Sequence, residues 1–362
     1  MIGWTMCSGI GAPEVAAAWV DWRLASEIEN FPRAVLQERH GYKLPDDHNQ
    51  GDPLLWGDMT EVTPELARAR GVPLPDVLVA GTPCQAFSVS GLRKGTDDAR
   101  GNLTLKFVET CHAIVNDRHD GRLAVLWENV PGVLSDKGNA FGCFLGGLVG
   151  ADNALPSPDG GSWPSVGMVS GPRSRAAWRV LDAQYFGVAQ RRRRVFVVVD
   201  FGGAVDPAAV LFERQGLRGN TPPSRQAGQI VAALTSSGVG TCGAGRMDYE
   251  TETMIAHPIA FEANMSMQSP DTSGTHPTLT RRTHAAVAFE SQSHPWAVRR
   301  LTPNECHSLQ GFPQDYCAIT YRKKPAADGP QYKALGNSMA VPVIAWIMDR
   351  IRASAAQQKV AA

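Results

Sequence analysis

Between Ile2 and about Phe201, short apolar runs alternate with longer helical patterns, and this alternation constrains the fold more than any other feature. The strand candidates are Ile2–Met6, Trp22–Ser26, Val77–Ala80, Ala124–Trp127 and Val195–Val199. Helical candidates follow at Pro13–Trp19, Pro32–Arg39, Leu103–Asn116 and Ala140–Val149. Strands separated by helices predict an α/β fold with a parallel, doubly wound sheet. Gly, Pro and Ser enrichment marks Ala151–Arg175 as an insertion loop. The character then changes: Gly203–Trp296 carries many Gly, Thr and Ser and no long amphipathic helix, which predicts a small, mostly β domain. Helical periodicity returns at Thr302–Gln310 and Val341–Ala353. The expected division is a large domain over 1–202, a smaller one over 203–330, and a segment 331–362 that returns to the large domain.

The 35 basic and 35 acidic residues cancel, so a polyanionic partner needs a local basic cleft rather than a basic protein. Seven cysteines, an odd number, include no CxxC pair and no Cys/His spacing suited to zinc. That points to a reducing compartment and to no metal. No apolar run approaches a membrane span, and a first strand that starts at the amino terminus leaves no room for a signal peptide. A cytoplasmic location without a membrane partner is expected.

The chemistry concentrates at strand ends, where open α/β sheets bind their ligands. Val77–Ala80 runs into Gly81-Thr82-Pro83, which presents Cys84 and Gln85. The next apolar run, Leu123 to Val130, delivers Glu128 and Asn129. A thiol and a carboxyl group on neighbouring strand ends are a candidate nucleophile and proton donor. Taken alone, Cys84 reads better as a buried small hydrophobe. The first strand leads into Ser8-Gly9-Ile10-Gly11-Ala12, a turn whose glycines allow close approach to a ligand. Glu27 ends the second strand as the usual acid for ribose hydroxyls, and Asp58 is either a further ligand for an adenine or a helix cap. Four arginines, Arg191 to Arg194, enter the last strand, so Arg192 and Arg194 share one face and Arg191 and Arg193 the other.

In order, these pieces resemble the DNA (cytosine-5)-methyltransferases of bacteria and phages. The resemblance rests on Ser8–Ala12, Glu27, Gly57-Asp58, GTPCQAFSVSG ending at Gly91, Arg100–Leu103, Glu128–Val130 and Gln190–Arg194. It continues through RRLTPNECHSLQGFP, Arg299–Pro313, and LGNSM, Leu335–Met339. Only Gly203–Trp296 and the 151–175 loop lack a counterpart. The resemblance implies a Rossmann-like S-adenosylmethionine-dependent methyltransferase sheet, with a smaller, mostly β target-recognition domain. It implies catalytic roles for Cys84, Glu128, Arg192 and Arg194. S-adenosyl-L-methionine is expected against Ser8, Gly9, Ile10, Gly11, Glu27, Ile28, Asp58, Met59, Leu103, Asn337 and Ser338.

Duplex DNA is the implied partner, met by a mobile loop carrying Gln85, Ser88, Ser90, Arg93 and Lys94, with Gly91 and Gly95 as hinges. Arg281 and Arg282, with Arg246 and His284, are expected to read bases or phosphates. A monomer is expected; a companion restriction endonuclease, the recognition sequence and the host or phage origin are left open. The chain departs from the family at Cys7, where a phenylalanine is usual, at Ala12-Pro13 and at Met339. Three rivals follow from parts of the pattern. Transfer RNA is the alternative substrate, a nucleotide-binding dehydrogenase accounts only for the glycine turn and Glu27, and a silent DNA-binding protein leaves the intact Cys84 and Glu128 blocks unexplained.

Overall fold

The computed structural model describes residues 1–83, 102–212, 259–262, 285–289 and 297–361. Cys84, Gln85, Ser88, Ser90, Gly91, Arg93, Lys94, Gly95, Arg246, Arg281, Arg282 and His284 lie outside the described residues. Eight strands form one sheet: β1 (Ile2–Met6), β2 (Asp21–Ser26), β3 (Leu54–Trp56), β4 (Val77–Ala80), β5 (Leu123–Asn129), β6 (Val166–Ser170), β7 (Ser174–Asp182) and β8 (Arg193–Phe201). Their spatial order is β3-β2-β1-β4-β5-β8-β7-β6. The strand order reverses at β1 and β4, the switch point beyond which α/β sheets hold ligands.

The five strands from β3 to β5 pair in parallel, as the alternation predicts. The expectation fails for the Val195–Val199 run, because β8 pairs antiparallel with both β5 and β7. The physical reason lies upstream: the predicted insertion loop holds β6 and the start of β7, and antiparallel strands need only short connections. β6 escapes sequence reading because it is a sheet edge with half-exposed Val166 and Met168. Its Gly167 also looks like a loop residue, yet a Cβ there would fall 2.2 Å from the Trp178 ring. The glycine makes room for that indole.

Helices cover both faces: α1 (Ala12–Ala16), α2 (Asn30–His40), α3 (Pro64–Ala69), α4 (Asn102–Asp117), α5 (Ala140–Val149), α6 (Pro207–Leu211), α7 (Pro303–Gln310), α8 (Asp328–Asn337) and α9 (Val341–Ala361). Alternation along β4 shows the double burial. Val77 and Val79 pack with Val210, Ile344 and Ile347 on one face. Leu78 and Ala80 pack with Phe107, Ile114 and Phe144 on the other. A central strand buried on both sides reads as a continuous apolar run, which is why β4 and β5 are legible in sequence.

A three-stranded antiparallel sheet forms from β9 (Ile259–Glu262), β10 (Ala285–Phe289) and β11 (Ala297–Arg300). α7 then starts on a capping box in which Thr302 and Glu305 hold one another's backbone amides. Leu301, Phe312, Tyr316 and Ile319 share a hydrophobic cluster with Ile10 and Val79 of the sheet side. The hairpin β12 (Thr320–Tyr321) and β13 (Lys324–Pro325) follows, and α8 and α9 close the chain.

Candidate active site

One cleft of about 1110 Å³ runs along the carboxyl ends of β1, β2, β4 and β5. At one end it is lined by Gly9, Glu27, Ile28, Asp58, Met59 and Leu103, and at the other by Glu128, Arg192, Arg194 and Asn337. Of the sequence-predicted residues, Gly9, Glu27, Ile28, Asp58, Met59, Leu103, Glu128, Arg192, Arg194 and Asn337 therefore line a single space, whereas Ser8, Ile10, Gly11 and Ser338 do not line it.

The glycine turn shapes the first end. Cys7, Gly9 and Gly11 all take positive φ, at 52°, 57° and 84°. At Gly11 the reason is also steric, since a Cβ would lie 2.8 Å from His40 Nε2. Gly9 N–H donates to Glu27 Oε2 at 2.8 Å, and Glu29 N–H donates to Glu27 Oε1 at 2.8 Å. Glu27 is thus fixed by two backbone donors, one from the glycine turn and one from the residue that precedes α2, while each oxygen keeps a lone pair for a ligand hydroxyl. Burial raises its pKa despite these donors, which makes it a weaker acid. Ser8 and Ile10 face inward: the Ser8 hydroxyl meets Thr5 and Ser26, and Ile10 is fully buried.

Ile28 is 70% exposed at the rim, free to cover a flat ligand. Asp58 accepts from Thr60 N–H at 2.8 Å and so does cap a short 3₁₀ turn, while still lining the cleft. Buried Met59 lies 3.4 Å, sulfur to sulfur, from Cys7. The Cys7 thiol is pushed up to about 12, first by burial and then by Glu27 and Asp58, so it stays protonated.

At the other end, the Gly81-Thr82-Pro83 turn is held from β5. Trp127 Nε1 donates to Thr82 Oγ1 at 2.8 Å, and Asn129 Nδ2 donates to the Thr82 carbonyl at 2.9 Å. Gly81 is close-packed, since a Cβ there would lie 2.9 Å from Met339 Cε. Glu128 Oε1 sits 3.2 Å from Arg194 Nε, both side chains mostly buried.

The expected two-face split of the arginine run is present: Arg192 is buried and Arg194 half-buried, whereas Arg191 and Arg193 are exposed. Arg192 donates to the Ser338 carbonyl at 2.6 Å, tying β8 to the Gly336–Ser338 block. Burial, then the Arg194 charge, lower its ionisation to about 9, partly offset by Glu128.

Two features have no signal in any local motif. Lys333 Nζ on α8 pairs with Glu29 Oε2 at 2.5 Å across the rim. Tyr321 stacks edge-on against Phe31 with centroids 5.2 Å apart, adding an aromatic wall. Both join residues close to three hundred positions apart, which only the fold brings together.

The residues fit S-adenosylmethionine: a doubly held carboxylate for ribose hydroxyls, a glycine turn open to close approach, and an apolar rim beside Asp58. Comparison with known proteins agrees. The model of the C-5 cytosine-specific DNA methylases matches residues 6–151 and 230–353. A protein of Escherichia phage P1 named DNA N-6-adenine-methyltransferase is 38% identical over 98% of this chain and 61% of its own length. The type II methyltransferase M.MspI of a Moraxella species is 25% identical over 90% of this chain and 64% of its own length. The chain thus spans a little over three fifths of these two relatives. The fold matches a crystal structure of a Spodoptera frugiperda DNMT2 variant with a TM-score of 0.56, at 16% identity, over 97% of this chain and all of that one. With the family model matched over most of its length, the chain belongs to the C-5 cytosine-specific DNA methylases.

Proposed function

We propose that the chain methylates carbon 5 of cytosine in duplex DNA, using S-adenosylmethionine and a covalent adduct at Cys84. The observation that carries this reading is the Glu128–Arg194 pair opening into the same cleft as Glu27 and the glycine turn. Carbon 5 of cytosine is a poor nucleophile while its ring is aromatic. A Cys84 thiolate adding at carbon 6 breaks the aromaticity and makes carbon 5 nucleophilic. Glu128 holds ring nitrogen 3 and the exocyclic amine, and its proton eases the addition. Arg194 orients that carboxyl group and faces the base carbonyl, while Arg192 braces the Gly336–Ser338 block behind it. When bound, S-adenosylmethionine supplies the electrophilic methyl group. A proton then leaves carbon 5 and the Cys84 thiol is eliminated.

The target carbon is buried in a stacked duplex, so the nucleotide must flip out, at a cost of a few kcal/mol met by contacts elsewhere. We assign those contacts to Gln85, Ser88, Ser90, Arg93 and Lys94, and base reading to Arg281 and Arg282. The proposed domain limits are 1–202 for catalysis, 203–330 for target recognition and 331–362 for the return. Among the described residues no helix is long and apolar enough to cross a membrane.

The name of the phage P1 relative points instead to the adenine amino group. About two fifths of that protein lies outside the match, however, and an exocyclic amine attacks without needing a thiol. Transfer RNA is the remaining alternative substrate. Labelled methyl transfer from S-adenosylmethionine to duplex DNA and to total transfer RNA, run in parallel, tests the substrate class. Label in DNA alone is expected; label in transfer RNA alone contradicts the reading.

A further inference from the structure

Beneath the glycine turn lies a buried polar chain whose acid, Glu14, none of the assigned roles uses. Glu14 is 3% exposed on α1. Its Oε1 accepts from Thr5 Oγ1 at 2.9 Å and from the Tyr42 hydroxyl at 3.1 Å. Thr5 Oγ1 in turn lies 2.7 Å from Ser8 Oγ, and Ser8 Oγ lies 3.1 Å from the Ser26 carbonyl. Glu14 Oε2 is buried with no hydrogen-bond partner among the described residues. A second chain braces the same turn: the Tyr316 hydroxyl donates to the Ile10 carbonyl at 2.7 Å and lies 2.7 Å from His40 Nε2.

We propose that Glu14 is a positioning residue for the cofactor, acting through Thr5 and Ser8 on the turn that carries Gly9. This rests on the cofactor reading given above. Thr5 has one hydroxyl proton, so the chain has a direction. With Glu14 ionised, Thr5 donates to it and Ser8 donates to Thr5. With Glu14 protonated on Oε1, the order reverses: Glu14 donates to Thr5, Thr5 to Ser8, and Ser8 to the Ser26 carbonyl. The protonation state of a group remote from the ligand is thereby read at Ser8, one residue before the amide that holds Glu27.

The surroundings keep the two states close in energy. Burial pushes the Glu14 carboxyl up to about 7, against the hydrogen bonds that lower it. Tyr42 is buried and held far above its ordinary range, and burial likewise raises Tyr316. His40 is lowered to about 4, first by burial and then by Arg39, and is neutral at pH 7. Arg39 spends its guanidinium on the Tyr316 and Asp315 carbonyls, and Arg352 of α9, which packs on α1, lies over Trp19. Among the described residues no lysine or arginine forms an ion pair with Glu14. The sign follows: a carboxyl raised on folding gives stability that is complete below its unfolded value and is lost as pH rises through about 7.

Calorimetric titration of S-adenosylmethionine into the parent, Glu14→Gln, Thr5→Val and Thr5→Ser at about pH 6 and about pH 8.5 tests the proposal. Glutamine can present its amide oxygen or its amide NH2 to Thr5 but cannot ionise. Across this range only the parent loses the Glu14 proton, so its affinity is expected to change several-fold more than that of Glu14→Gln. Thr5→Val, which keeps the shape but cuts the chain, is expected to bind more weakly at both values, and Thr5→Ser to restore binding. Thermal unfolding of Glu14→Gln is expected to lose the fall in stability between about pH 4.5 and about 7. Parallel affinity profiles for parent and Glu14→Gln overturn the proposal, as does Thr5→Val binding like the parent. A parent that binds no S-adenosylmethionine overturns the cofactor reading and the proposal together.

Discussion

Glu128 Oε1 and Arg194 Nε lie 3.2 Å apart at the open end of the antiparallel pairing between β5 and β8. The sheet places them: the last paired residues, Asn129 with Val195, stand immediately beside both. An arginine held there keeps the carboxyl group in one orientation, so the group meets a base with its geometry already set. Glu128→Gln keeps the shape and loses the exchangeable acid. Turnover is expected to fall about 10²- to 10⁴-fold, the usual worth of a general acid, with S-adenosylmethionine affinity nearly unchanged. Single-turnover kinetics with calorimetry checks this; a parental rate would make the carboxyl group structural.

Cys84 follows the Gly81–Pro83 turn and is the assigned nucleophile. Duplex DNA with fluorine at carbon 5 of the target cytosine is expected to trap a covalent complex, because the fluorine cannot leave as a proton does. Cys84→Ser is expected to abolish both trapping and turnover. A denaturant-stable adduct in the serine variant would remove Cys84 from this role.

Asn129 acts on that turn from below, through its bond to the Thr82 carbonyl. Asn129→Ala leaves a buried acceptor unpaired, and a loss of about 1–3 kcal/mol in stability is expected. Turnover is expected to fall more than cofactor affinity, since Thr82 leads to Cys84 rather than to Glu27. Denaturant melts combined with calorimetry separate the two effects.

How far sequence alone reaches depends on the range of the interaction. Glu27, Glu128 and Arg194 are legible because each stands at a fixed offset from a strand; for Glu27 and Glu128 the predicted parallel strand is present, whereas the run after Arg194 is a buried strand that pairs antiparallel. Gly167 misleads because its absent side chain serves Trp178, eleven residues away on the next strand. Lys333 and Glu29 are 304 residues apart, and no local pattern announces that they meet at the cleft rim. Asp58 shows both sides: it caps a turn and lines the cleft, so neither reading of the sequence is complete.

We propose that sequence choice lies in the segment between Gly203 and Trp296; the family model matches this segment from residue 230 onward, so the stretch without a family counterpart is 152–229 rather than the whole segment. Grafting that segment from a relative with another target is expected to transfer the relative's site to this scaffold. Within it, a base-reading arginine among Arg281 and Arg282, changed to alanine, is expected to relax one position by about 1–3 kcal/mol. A phosphate contact would instead weaken all sites alike and flatten the salt dependence. An active chimera that keeps the original site would place specificity elsewhere.

The most direct measurement is the identity of the methylated base. Duplex DNA incubated with the protein and methyl-labelled S-adenosylmethionine is digested to nucleosides and resolved by mass spectrometry. The account predicts label in 5-methylcytosine and none in N6-methyladenine. Label in N6-methyladenine, or in no DNA base, would contradict it.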